Sequence, residues 1–93
     1  MAGADLSAAV LEGADLEHAC LSAARLVGAN LAGAILAGAD LSRADLEGAD
    51  LTRCDLTRCD LTGANLRGAR LVDPKKAGAI VTDTTLLADQ DSS

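Results

Sequence analysis

The sequence predicts an all-β fold, a parallel solenoid whose wall turns a corner every five residues. Three observations predict it. Leucine recurs at every fifth position from Leu6 to Leu71 without a gap. A small residue stands two places before each of these leucines, alanine everywhere except at Cys54 and Cys59. All nine glycines share one phase, two places after the leucine position. Neither regular structure gathers such a pattern. On an α-helix a step of five advances about 500°, which sets successive leucines about 140° apart with no common face. On a flat strand the same step sends alternate leucines to opposite sides.

A corner in every pentad resolves the conflict, and "DLTRCDLTRCDL" (50–61) shows two consecutive sides of such a coil. Each leucine then points to a common axis. The alanine two places earlier has the same strand parity and also points inward, where the leucines leave room only for a small side chain. The residue between them points outward, so Asp and Asn are accommodated. The second residue after leucine falls on the corner, where a positive φ suits glycine.

The unit A-(D/N)-L-x-x, most regular in "GADLSRADLEGADL" (38–51), resembles the pentapeptide-repeat family, and the resemblance runs from residue 4 to 73. It implies a right-handed quadrilateral parallel β-helix with four repeats, or twenty residues, per coil, and about four coils in all. Stacking at about 4.8 Å per coil gives a rod on the order of 20 Å long. The expected organisation is a regular solenoid over 1–73 and an irregular half coil, cap and frayed tail over 74–93. In "VDPKKAGAIVTDTTLL" (72–87) Pro74 takes an inward slot and Lys76 a leucine slot, so 74–77 reads as a bulge. Ala79, Val81 and Leu86 fall back into phase behind it.

Composition narrows the function. The net charge is −6 and the pI about 4.4, which disfavours direct binding to nucleic acid or to an anionic membrane. With no Phe, Tyr or Trp, the core must be aliphatic. The N-terminus lacks a basic start followed by an apolar run, and three cysteines without a secretion signal suit a reducing, cytoplasmic setting. Cys54 and Cys59 occupy inward slots at a spacing foreign to zinc sites and serve as small hydrophobes, whereas Cys20 points outward and is the reactive thiol. His18, the single histidine, falls on a corner near Glu12, Asp15 and Glu17 with no nucleophile to serve. No phosphate-cradling loop is present, because the glycines obey the coil period. The expectation is a protein without catalysis, cofactor or metal.

Three outward surfaces are candidates for a partner. Asp40, Asp45, Asp50, Asp55 and Asp60 fill five consecutive outward slots and ring one coil, with Arg43, Arg53 and Arg58 at its corners. Val27, Ala32, Ile35 and Ala37 make an apolar belt on the coil before it. Leu6, Leu11, Leu16 and Leu21 form the layer at the N-terminal end, preceded only by Met1, Ala2 and Gly3, and predict a homodimer through that coil. The leading functional expectation is a non-catalytic binding or scaffolding module for an unidentified protein. The resemblance supplies the first alternative, since some pentapeptide-repeat proteins mimic double-helical DNA and regulate DNA gyrase, a type II topoisomerase. A rod of about 20 Å matches only about six base pairs, which counts against it. The second alternative is an engineered or excised repeat segment without a function of its own.

Overall fold

The computed structural model describes residues 2–71 and 78. Its smallest unit is a β-turn. The N–H of Ala9 donates to the carbonyl of Leu6 at 3.0 Å, and the same bond recurs at every corner up to Ala69 and Leu66 at 3.1 Å. The third residue of each turn has positive φ and the second does not, the signature of a type II turn. Glycine fills that position at many corners, but Ala8, His18, Ala23, Arg43, Arg53 and Arg58 adopt it too, with φ between 55° and 62°. The corner conformation is therefore imposed by the coil and merely eased by glycine, at a local cost of roughly 1–2 kcal/mol for each side chain held there.

Between corners the chain pairs with the next coil. Parallel bridges join Asp5 to Arg25, Val10 to Asn30, Asp15 to Ile35 and Cys20 to Asp40, always across twenty residues, and continue to Asp50 with Arg70. Within each bridge the leucine N–H reaches up and the alanine carbonyl accepts from above, as in Leu6 N–H to the Arg25 carbonyl (2.7 Å) and Arg25 N–H to the Ala4 carbonyl (2.7 Å). Corner amides join in, with the N–H of Gly13 donating to the Ala32 carbonyl at 2.9 Å. Each side thus contributes a short bridged segment, and nearly all inter-coil cohesion of the backbone comes from this ladder.

The core is what the period implies. Leu26, Leu31, Leu36, Leu46 and Leu51 have no exposed surface, and Ala24, Ala29, Ala34, Cys54 and Cys59 close the gaps between them. The first coil (4–23) differs. Leu6, Leu11 and Leu16 are only half-buried against the core. Leu21 is a correction to the exposed N-terminal layer, for it is completely buried. The corner that follows it is already paired from below, with the Gly3 N–H donating to the Ser22 carbonyl at 2.9 Å, so this side has chain beneath it where the sides of Leu6, Leu11 and Leu16 do not. The bulge at 74–77 and the re-entry of Ala79, Val81 and Leu86 lie outside the described residues, as does the boundary at 73. Among the described residues no helix is long and apolar enough to cross a membrane.

Candidate functional site

The acidic ring is built as the pattern requires, with Asp40 bridged beneath Asp60. Its carboxylates also have a local duty. Oδ1 of Asp50 accepts from the N–H of Thr52 at 3.0 Å and from its hydroxyl at 2.5 Å. Asp40 does the same with Ser42, Asp55 with Thr57 and Asp60 with Thr62, while Asp45 accepts the N–H of Glu47 at 3.2 Å. Asn30 and Asn65 make the equivalent bonds with their side-chain oxygens. This is an Asx motif closing the first amide of each corner, an N–H that the ladder leaves unused. The five aspartates are half-buried as a result.

These bonds favour the charged form. The hydroxyl and N–H of Ser42 hold Asp40 below its ordinary pKa, with Arg43 adding to the effect. Thr52 does the same for Asp50, helped by Arg70 in the next coil. Asp5 is lowered by the N–H and hydroxyl of Ser7, with a smaller contribution from Arg25. The arginines named from the sequence stand on exposed corners as expected.

Where the outward slot is not Asp or Asn, the corner amide loses this acceptor. Val10, Cys20, Arg25 and Ile35 are such positions, and the N–H groups of Glu12, Ser22, Val27 and Ala37 have no acceptor among the described residues. Ile35 is 38% exposed and Val10 77%. Val27, Ala32 and Ala37 are half-buried on three successive corners of the second coil (24–43), and Ile35 lies on the side between the last two. Beside them runs a surface groove of about 310 Å3, lined by Glu12, Gly13, Ala32, Gly33, Thr52 and Arg53. It exists because the second coil carries only Ala32 and Gly33 at this corner, between the charged corners of its neighbours. At the next corner the His18 imidazole lies over Gly38, where a Cβ would meet Nδ1 at 2.5 Å.

Cys54 and Cys59 are free and buried, and Cys20 is free and exposed. Burial pushes the Cys54 thiol up to about 11 and the Cys59 thiol up to about 12. Cys54 Sγ donates to the Leu31 carbonyl at 2.8 Å. His18 Nε2 lies 3.8 Å from a Glu17 carboxylate oxygen on an exposed corner. Among the described residues no three His, Cys, Asp or Glu side chains gather into a metal site. The Asx caps and the groove went unseen in the sequence reading. Outward parity alone reveals neither, since the caps need the side-chain rotamer and the groove needs the stacking register.

Comparison with known proteins agrees with this geometry. The family described as pentapeptide repeats matches in eight copies, over residues 1–26, 24–63 and 39–73. The pentapeptide-repeat protein Rfr23 from the cyanobacterium Cyanothece 51142 is 34% identical, with a TM-score of 0.72 over 94% of this chain and 63% of its own. The pentapeptide-repeat protein alr5209 from Nostoc Pcc 7120 is 33% identical, with a TM-score of 0.83 over 92% of this chain and 75% of its own. HetL, a pentapeptide-repeat protein involved in heterocyst differentiation regulation in Nostoc sp. strain PCC 7120, is 39% identical, with a TM-score of 0.53 over 96% of this chain and 42% of its own. The chain thus spans less than two thirds of the length of two of these three proteins. No curated protein matches it.

Proposed function

The chain belongs to the pentapeptide-repeat family, and from that premise we propose that it is a non-catalytic binding module. In this reading it is a right-handed, four-sided solenoid of about four coils that presents its outward faces to a protein partner. One observation carries the reading. Inward slots are consumed by leucine, alanine and cysteine in a closed aliphatic core, so all chemical variety among the described residues is spent on the outside. Among the described residues His18 shares its corner only with Glu17, and the hydroxyls of Ser42, Thr52, Thr57 and Thr62 are engaged in the corner caps with the aspartates two places before them.

The test reverses one side at a time, for example with Asp40→Lys and Asp60→Lys, and compares the proteins retained in quantitative affinity capture. A partner held by the unmodified chain and lost on reversing one particular side is expected. The same retained set under every reversal would overturn the reading.

The five consecutive aspartate slots favour a second reading, a DNA-mimic regulator of DNA gyrase. The local bonds of those carboxylates give them a sufficient role in the corners, which ranks this reading second. A gyrase supercoiling assay separates the two. No effect is expected, and inhibition or protection would put the second reading first.

The reading also sets the chain in the cytoplasm and pairs two copies through their first coils. The amides and carbonyls of Asp5, Val10 and Asp15 face away from the second coil and have no partner among the described residues. Such an edge templates pairing. Asp5, Glu12, Asp15 and Glu17 make that coil acidic, so the dimer should tighten as salt rises. Light scattering tests this. A dimer that falls to monomer with Leu6→Lys and Leu11→Lys is expected, and a monomer at every salt concentration refutes the pairing.

A further inference from the structure

Ile35 breaks a rule that its neighbours keep. The column containing it reads Asp15, Ile35, Asp55, each bridged to the next across twenty residues. Asp15 and Asp55 both cap the corner amide two places on, at 3.2 and 3.0 Å. Ile35 cannot, and the Ala37 N–H is left without an acceptor among the described residues. Val10, Cys20 and Arg25 forgo the cap as well, but of the four only Ile35 is both apolar and set between two capping residues of its column, and that combination points to a use elsewhere. The surroundings supply one. Ile35 comes two residues after the Ala32–Gly33 floor of the 310 Å3 groove, so a partly exposed aliphatic residue opens the side that leads away from a notch cut by small corners. Glu12 lines the first-coil edge of the notch and Arg53 the opposite edge, and Asp15 and Glu17 follow Glu12 along the first coil.

We propose that this face docks an extended, basic segment of a partner protein, one that places an apolar side chain on Ile35 between lysines or arginines. Its cationic residues lie along Glu12, Asp15 and Glu17, a carbonyl of the segment accepts the Ala37 N–H, and an acceptor at its other end meets Arg53. The shared logic is that of extended peptide recognition, in which main-chain bonds give affinity and alternate side chains give selectivity. The inference rests on the binding-module reading. It fails separately from it, because capture could map a partner to another side while the Ile35 face stays idle.

The experiment uses the full chain and a labelled peptide that alternates lysine and leucine, followed by fluorescence anisotropy and by amide shifts. Saturable binding is expected, weakening as salt rises, with the largest shifts at Ala32, Ile35 and Ala37. Ile35→Asp should restore the missing cap, keep the fold and weaken binding at least about tenfold. Glu12→Gln with Asp15→Asn, which preserves the Asp15 cap, should flatten the salt dependence. No saturable binding, equal binding of a glutamate–leucine peptide, shifts confined to another side, or undiminished affinity in a folded Ile35→Asp chain would each overturn the proposal. Should Ile35→Asp not fold, the shifts of the unmodified chain decide.

Discussion

The first coil and the second are written in the same five-residue frame, yet one is half-buried and the other is closed. Leu6, Leu11 and Leu16 touch the core from one side only, whereas Leu26, Leu31 and Leu36 are sealed from both. Nothing in the local sequence accounts for this, because the flanking alanines and the turn bonds are alike. What differs is the neighbour. In a stacked repeat each unit contacts only the units above and below, so burial belongs to the position in the stack as much as to the residue.

The largest effect sharpens that comparison directly. Leu36→Ala should cost about 2–5 kcal/mol, since a sealed site cannot collapse onto the cavity. Leu11→Ala removes the same atoms from a half-open site and should cost under about 2 kcal/mol. Urea denaturation of the two variants measures the difference, and equal losses would mean that the first coil is sealed in solution. Association through that coil is one way this could happen, so the pair should be compared at two protein concentrations.

The cysteines extend the comparison to reactivity. Cys20 lies exposed on the first coil, while Cys54 and Cys59 are buried in the third with thiols pushed up to about 11 and about 12. Only thiolate reacts, so Cys20 should be labelled by a thiol reagent at least about 100-fold faster in the native state at neutral pH. All three should react alike in denaturant. Comparable native rates would mean that the third coil opens readily.

Much of this was legible in the letters. The phase of Leu, Ala and Gly gave the inward slots and corners, and every described inward position from Ala24 to Ala69 is buried. Two things were not. A pentad count sets Leu21 beside Leu6, and does not show that Gly3 pairs beneath the corner after Leu21 and leaves it buried. The aspartates were read as a surface, because outward parity says nothing of a hydrogen bond to an amide two residues on. Ile35 shows the same limit. Its slot faces out, but its neighbours in the column cover more than half of it, so Ile35→Ala should cost more than a fully exposed position would.

Corners give a smaller effect. Gly48 has φ +70 and nothing within 4 Å of where its Cβ would be, so Gly48→Ala isolates backbone strain. It should cost about 1 kcal/mol. Gly13→Ala has the same geometry on the first coil and should cost the same, because this strain does not depend on a neighbour. The reverse change, Ala23→Gly at φ 60, should relieve strain. If Gly13→Ala proved markedly milder than Gly48→Ala in thermal denaturation, the first coil would be frayed rather than merely uncovered.

Acid provides the smallest and most discriminating comparison, between Asp5 on the first coil and Asp50 on the third. Both carboxyls are held below the ordinary carboxylate value by bonds from the turn that follows, Asp50 chiefly by the Thr52 hydroxyl and Asp5 chiefly by the Ser7 N–H. A group whose pKa is lower folded than unfolded stabilises the fold above its unfolded value, and loses that contribution as pH falls through the folded one. Stability should therefore be flat near neutrality and decline below about pH 4. Asp50→Asn keeps the oxygen acceptor, as Asn30 and Asn65 do naturally, but removes the proton uptake. It should lower the urea midpoint at pH 7 by the part that ionisation contributes, bring it close to that of the unmodified chain at pH 3, and so reduce the fall between pH 7 and pH 3. Asp50→Ala removes the acceptor as well and should lower the midpoint at pH 7, since the Thr52 amide is then left to water. Asp5→Asn should alter the global acid response less than Asp50→Asn, because a half-buried end coil can open without unfolding the rest. Identical acid curves for Asp50→Asn and the unmodified chain would show that the bonds to Thr52 do not bias the proton, and that the cap acts through its geometry alone.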